Sequence, residues 1–420
     1  MDNKIKTLSA ISVIDSRGVP TIQTTVILEN GAIGKASVPS GASTGRYEAH
    51  EKRDNLQPYN GKGVGQAIDA IHHEISQYLT EHTPKDTFST DTMLCNIDGT
   101  STKSRLGANT VLSVSLAYAR ALANAAGLPL FQYLGGINAR LLPLPMMNVL
   151  NGGAHADNNL DIQEFMIIPT GATSFSDAVR MGCETYAALK KLLLDHKLSV
   201  AVGDEGGFAP NARDHEHALQ LLCDAIELAG YKAGNDIVLA LDIAASEWFD
   251  GSVYRLPKQN TAMCRQELFK YYQKLCQNYP IVSLEDPFSE DDFSSFTDFR
   301  QQHPDLQIVG DDLFVTNPSR IRTGIELKAA NAVLIKPNQI GTLSETLNAI
   351  ALAQQGGYNT VISHRSGDTE DTFIADLAVA VNAGQIKTGA PCRGERIAKY
   401  NRLIEIEALL GKKAEFRRFK

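Results

Sequence analysis

No run of eighteen apolar residues occurs anywhere in the 420-residue chain, which excludes the usual pattern of a membrane-spanning helix. Residues 1–15 carry neither a long apolar core nor a cleavage-like segment, so no classical secretion signal is expected and the cytoplasm is the default location. The six cysteines are scattered, without a C-x-x-C pair or zinc-type spacing, and indicate neither a disulfide framework nor a structural zinc. Positive charge is in deficit: 40 Lys and Arg against 48 Asp and Glu leave a net charge of −8, which argues against nucleic acid as the primary partner. There is no low-complexity segment. What is there is a globular composition, 43% hydrophobic and 21% charged, in a chain long enough for more than one domain.

The chain is organised around a repeat between residues 198 and 390. Six times, a short apolar run of strand character stops at a charged residue. The runs are 199–202 before Gly203-Asp204-Glu205, 237–241 before Asp242, and 281–284 before Glu285. They continue with 306–309 before Gly310-Asp311-Asp312, 332–335 before Lys336, and 360–363 before His364. A weaker instance is 385–386 before Lys387. Helical periodicity fills most of the gaps, over 215–228, 265–277, 319–330, 343–354 and 372–382, and a last helix covers 397–410. Thr342 and Glu345 fit a capping box at the start of one of them. Strand then helix, many times over, predicts a parallel sheet closed into a β/α barrel, whose strand C-termini converge on one mouth and carry the chemistry.

The part before the repeat is different. Residues 1–38 read as strands, with 21–28 and 32–38 forming a hairpin around Glu29-Asn30-Gly31. The small, flexible segment Pro39-Ser40-Gly41-Ala42-Ser43-Thr44-Gly45 has two readings that stand level: a linker, or a lid whose hydroxyls act as donors or metal ligands. Helices are predicted over 64–79 and 108–126; Gly61-Lys62-Gly63-Val64-Gly65 is a helix-entry turn rather than a nucleotide loop, because no strand leads into it. Strands first and helices second make an α+β domain, placed at residues 1–134, with the barrel at 135–420. Residues 148–159 are too polar and glycine-rich for a core element, and the strand that follows, 161–169, begins with polar residues, as binding groups beside a strand do. The basic end, 412–420, reads as a frayed, solvated tail.

Asp242, Glu285 and Asp311 close three successive strands. Singly, each can be a helix cap; together in one barrel mouth they repel unless a cation lies between them, and an all-oxygen set suits Mg²⁺ or Mn²⁺. Asp312 is a neighbour that supports or caps. Lys336 follows four apolar residues and sits beside that metal, whose charge lowers a lysine's pKa and makes the amine available as a base. Glu205, between glycines that let the backbone turn sharply, is available as the opposing acid. His155, His364, Arg365 and Lys387 add cationic groups and point to an anionic substrate. Base, acid and divalent metal favour abstraction of a proton beside a carboxylate, followed by loss of a hydroxyl as water.

These residues lie in long motifs: Asn151-Gly152-Gly153-Ala154-His155-Ala156-Asp157-Asn158, Gly203-Asp204-Glu205-Gly206-Gly207-Phe208-Ala209-Pro210, Ser283-Leu284-Glu285-Asp286-Pro287-Phe288, Leu334-Ile335-Lys336-Pro337-Asn338-Gln339 and Ser363-His364-Arg365-Ser366-Gly367. With Ser40–Gly45, they make the chain resemble the enolase family from Asp15 to Asn401. A Lys or His base working beside one or two Mg²⁺ is the recognised habit of that superfamily, not a deduction from these residues.

The resemblance implies a small α+β domain followed by an enolase-type barrel with antiparallel opening strands. It implies reversible conversion of 2-phosphoglycerate to phosphoenolpyruvate in glycolysis and gluconeogenesis. Lys336 would be the base and Glu205 the acid. Asp242, Glu285 and Asp311 would hold one Mg²⁺, and a second would bind with the phosphate and Ser43; Mn²⁺ is a possible substitute. Gln163, Glu164 and Lys387 would line the carboxylate and hydroxyl end, Arg365 and Ser366 would hold the phosphate, and His155 and His364 would complete the pocket. A homodimer or octamer is expected. Asp368 stands where a Glu is familiar, Ala154 where Ser is common, and Pro337 follows the base lysine. These departures leave room for a paralogue acting on a related phosphonate or phosphate acid, and the basic tail for an added surface-binding (plasminogen-type) role.

Overall fold

A computed structural model describes residues 3–41, 45–417 and 419. The chain opens with a three-stranded antiparallel sheet in the order β1 (Ile5–Ile14), β2 (Pro20–Leu28), β3 (Ile33–Ser37). The expected hairpin is there, turning through Gly31 at φ +85°. The helix Ala108–Ala125 lies on β2 and β3 and buries nearly its whole surface. It can do so because the contact is built from small residues. A Cβ on Gly34 would stand 2.0 Å from the Ala117 carbonyl oxygen, so strand and helix backbones touch there. The helix expected at 64–79 forms in three pieces, Gly65–Ala70, a π-turn at Ile71–Ile75, and Ser76–His82. A further helix, Thr87–Asp98, starts from a reciprocal cap between Asp86 and Ser89.

The remainder is a closed eight-stranded barrel: β4 (Leu144–Asn151), β5 (Glu164–Ile168), β6 (Val238–Asp242), β7 (Ile281–Glu285), β8 (Gln307–Gly310), β9 (Ala332–Ile335), β10 (Asn359–Ser363) and β11 (Gly384–Lys387), which returns to β4. Every neighbouring pair is parallel except β4/β5 and β5/β6, so β5 alone runs backwards. Five of the six apolar runs are strands, as is the weak seventh. The first run is not: residues 199–202 form no strand, and Val202 makes only an isolated bridge to Phe208. The physical reason is burial. These four residues are exposed or half-exposed and have no apolar face to cover, whereas β4 and β5 are buried along their whole length and close the barrel in their place.

Side chains from alternate positions fill the interior as a packed core of Leu144, Met146, Met166, Ile168, Ala240, Val309, Leu334 and Val361 with their neighbours. The C-terminal end does not behave as a solvated tail. Glu415–Phe416 pairs in parallel with Leu141–Leu142, and Phe416 and Phe419 pack against that interior core. Two aromatic side chains in an otherwise basic segment have apolar surface to bury, and the barrel floor accepts it. Among the described residues, no single helix is long and apolar enough to cross a membrane.

Candidate active site

The barrel's strand direction decides what its mouth contains. β6 ends on Asp242 and β7 on Glu285; Asp311 directly follows β8, Lys336 follows β9, His364 follows β10, and β11 ends on Lys387. Because β5 is reversed, it brings its first residue to the same rim: Glu164 pairs in register with Asp242, which pairs with Glu285. Gln163 precedes it and donates from Nε2 to Asp242 Oδ2 at 3.3 Å. His155 arrives on the loop between β4 and β5. Glu205 arrives on a glycine turn in which Gly203 and Gly207 leave no room for side chains; a Cβ on Gly203 would lie 2.6 Å from the His155 carbonyl oxygen. All of these except Glu285 line one cleft of about 540 Å³, together with Arg365 and Ser366. Glu285 is buried just behind it, bonded to the Lys387 ammonium. Ser43 lies outside the described residues.

The cleft is paired but electrostatically overloaded. Lys387 Nζ sits 2.9 Å from Asp242, 2.9 Å from Glu285 and 3.1 Å from Glu164. Lys336 Nζ lies 2.5 Å from Asp311 Oδ2. Arg365 is held by Glu48 of the N-terminal domain at 2.8 Å. Even so, eight carboxyl side chains line the cleft against three permanent cations, Lys336, Arg365 and Lys387. The excess shows in the acids. Burial and then the neighbouring carboxylates push Glu285 and Asp286 well above the usual carboxylate range, and raise Asp312 to about 8. A donor set made only of oxygens, in a pocket with uncompensated negative charge, fits a hard divalent cation. Among the described residues, the groups whose ligand atoms lie within 4.8 Å of one another are Asp286 with Asp311 and Asp312, and His155 with Glu164 and Glu205; the set expected from the sequence, Asp242, Glu285 and Asp311, shares the barrel rim but is not drawn that close. Asp286 is already committed, because its carboxylate accepts the backbone N–H groups of Asp311 and Asp312.

The titrating pair across the cleft is asymmetric. The ligating atoms of His155, Glu164 and Glu205 lie within 4.8 Å of one another. Burial and the Glu205 charge push Glu164 well up. Burial acts on Glu205 in the same direction, but His364 at 3.3 Å and His155 at 3.8 Å outweigh it and hold the carboxyl well below the usual range. The lowered pKa expected of Lys336 is tied to a neighbouring cation; the protein groups by themselves act the other way. Burial pushes it down, but the Asp311 carboxylate more than offsets this and keeps the ammonium form favoured.

The N-terminal part matches the family described as "Enolase, N-terminal domain" over residues 5–134, and the barrel part matches "Enolase, C-terminal TIM barrel domain" over residues 139–420. The chain belongs to the enolase family. It is 53% identical over 413 residues to the curated enolase of Acidothermus cellulolyticus, covering 98% of this chain and 96% of that protein. The enolase of Beutenbergia cavernae is 53% identical over 414 residues, 98% of this chain and 97% of the other. Enolase-family membership implies a divalent metal, which the donor set above is suited to hold. Every site residue expected from the sequence and described in the structure reaches the cleft or its wall. What sequence reasoning missed is Glu48, which no local pattern marks, and Asp286, which lies inside a quoted motif without a role of its own. It also missed Asn148, whose Nδ2 donates to Glu205 Oε2 at 3.0 Å from within a strand.

Proposed function

We propose that this cleft carries out the reversible dehydration of 2-phosphoglycerate to phosphoenolpyruvate, the phosphopyruvate hydratase reaction of glycolysis and gluconeogenesis. The observation that carries the reading is a mostly buried amine, Lys336, paired with the strand-end carboxylate Asp311 in a mouth that also holds Asp242 and Glu285, with a carboxyl pair held apart in proton affinity on another wall. Lys336 takes the proton beside the substrate carboxylate. The Glu164–Glu205 pair, splitting one proton between two acids of unequal affinity, supplies the proton that leaves with the hydroxyl. Lys387 and Gln163 orient the carboxylate end, and Arg365, on leaving Glu48, binds the phosphate together with Ser366. His155 and His364 flank Glu205 and exclude water. A divalent cation held by Asp242, Glu285 and Asp311 supplies positive charge beside the substrate carboxylate and Lys336, which stabilises the enolate and favours the free amine. Mg²⁺ is the proposed ion, two per site, with Ser43 a ligand of the second; Mn²⁺ can substitute.

A shifted substrate has no support from the departures noted in the sequence. Asp368 pairs with Lys399 at 2.8 Å and accepts the Arg365 backbone N–H, outside the cleft lining. Ala154 is exposed, and Pro337 opens a short helix behind Lys336. The proposal includes a two-domain division at 134/135, a cytoplasmic location and a homodimer or octamer, the last readable by light scattering. The test is turnover of purified protein followed by phosphoenolpyruvate absorbance. Activity with Mg²⁺ that EDTA stops and Mg²⁺ restores is expected. Faster turnover of a phosphonate analogue in a substrate panel would move the assignment to a paralogue.

A further inference from the structure

Arg396, on the C-terminal helix Gly394–Leu410, heads the wholly buried side chains of the molecule by size, and the reaction outlined above makes no use of it. A guanidinium only donates hydrogen bonds. Its Nη1 lies 2.5 Å from His364 Nδ1 and 2.6 Å from the Arg365 carbonyl oxygen. Its Nη2 reaches the carbonyl oxygens of Ser366 at 2.5 Å and Asp204 at 3.2 Å. His364 Nδ1 is therefore an acceptor, and in the neutral ring the proton belongs to Nε2. That nitrogen is buried without a well-aligned hydrogen bond and lies 3.3 Å from Glu205 Oε2.

The ring is kept neutral as well as oriented. Burial, with the Arg396 charge acting against the pull of Glu205, lowers His364 to about 4. His215 shows the opposite arrangement in the same protein: its Nε2 accepts two backbone N–H groups, so its Nδ1 donates to Tyr271. The two buried histidines thus carry opposite tautomers, each set by what the other ring nitrogen faces.

We propose that Arg396 is a positioning residue that fixes His364 as the Nε2–H tautomer and so presents an N–H to Glu205. Asn148 donates to the same oxygen, Oε2. With Asn148 bonded to Oε2 and His364 Nε2 facing it at 3.3 Å, Oε1, which faces His155, is the oxygen that exchanges a proton with substrate. The same guanidinium ties the loop carrying Glu205 to the segment carrying Arg365 and Ser366, so acid and phosphate clamp share one anchor. This inference rests on the proposed role of Glu205. Its test is chosen to read the wiring without turnover.

The decisive measurement is the imidazole ¹⁵N–¹H spectrum of the full chain labelled at histidine, at neutral pH, with the His364 signals assigned by their loss in His364→Gln. A neutral ring protonated at Nε2 is expected; protonation at Nδ1, or an imidazolium, overturns the proposal. In Arg396→Met the tautomer should change and turnover of 2-phosphoglycerate should fall by about 10–100-fold, the usual scale for removing the partner that orients a functional histidine. Arg396→Lys, which keeps a donor, should recover part of both. Arg402→Gln, a change on the same helix as Arg396 that breaks an ion pair to Asp376 of the helix Phe373–Ala380, should leave the His364 signals in place. A folded Arg396→Met with unchanged His364 signals contradicts the proposal. Should that variant not fold, the wild-type spectrum decides alone. Correct wiring without turnover would sink the catalytic reading and leave the positioning one standing.

Discussion

Lys387 shows how a single residue can hold a site together before any ligand arrives. Its ammonium is buried among Glu164, Asp242 and Glu285, and their attraction overrides the burial that would otherwise discharge it. Lys387→Met should therefore abolish turnover and also destabilise the fold by about 3–5 kcal/mol, the scale of an uncompensated buried charge, read from urea unfolding. His215 gives a prediction about acid. Burial lowers it to about 4, against about 6.5 in an unfolded chain, so the unfolded state binds the extra proton first. Its contribution to stability is complete above pH 6.5 and is lost as pH falls toward 4, amounting to about 3 kcal/mol. His215→Asn should start less stable at pH 7 and lose less between pH 7 and 4 than the wild type; parallel curves would contradict the assignment. The sequence made the strand-end acids and Lys336 legible because a barrel converts position along a strand into position in a mouth. Glu48 and Asn148 were not legible, since their roles come from contacts across 317 and 57 residues of chain.

Among the elements, the closest packing is where side chains are smallest. Gly34→Ala forces a methyl group into the Ala117 carbonyl and should destabilise by about 1–3 kcal/mol or more, measured as a lower thermal midpoint. The C-terminal segment gives a second case. Truncation after Ala414 removes Phe416 and Phe419 from the barrel floor and should cost about 1–3 kcal/mol while leaving the distant mouth intact. An unchanged unfolding midpoint would restore the solvated-tail reading. Most barrel strands and their helices could be read from periodicity, because burial on a regular face leaves a regular trace. The helix Phe175–Asp195 went unread although Phe175, Met181, Leu189 and Leu193 give it a clear apolar face, because it precedes the strand-and-helix repeat that begins at residue 198. Gly182 is small for a packing reason, since a Cβ there would meet Met147 Sδ at 2.2 Å. Residues 199–202 failed the other way, having apolar composition without a partner to bury it.

Across the whole molecule, the N-terminal domain completes the barrel mouth. Ser40 and Gly367 exchange backbone hydrogen bonds, Arg120 pairs with Asp371, and Glu48 reaches Arg365. The excess of carboxylates at that junction predicts that a bound divalent cation adds to stability. A ligand that binds only the folded state adds about 2.7 kcal/mol at a hundredfold excess over its dissociation constant. Mg²⁺ should thus raise the thermal midpoint in a concentration-dependent way and EDTA should lower it, and Asp242→Asn should blunt the response. The division of proton chemistry between two walls of the cleft is the claim everything else serves. It is tested most directly by exchange of the 2-phosphoglycerate α-proton with heavy water, measured alongside dehydration in two variants. Lys336→Ala should lose both exchange and dehydration, whereas Glu205→Gln should lose dehydration and keep measurable exchange. Equal exchange in the two variants would contradict the account.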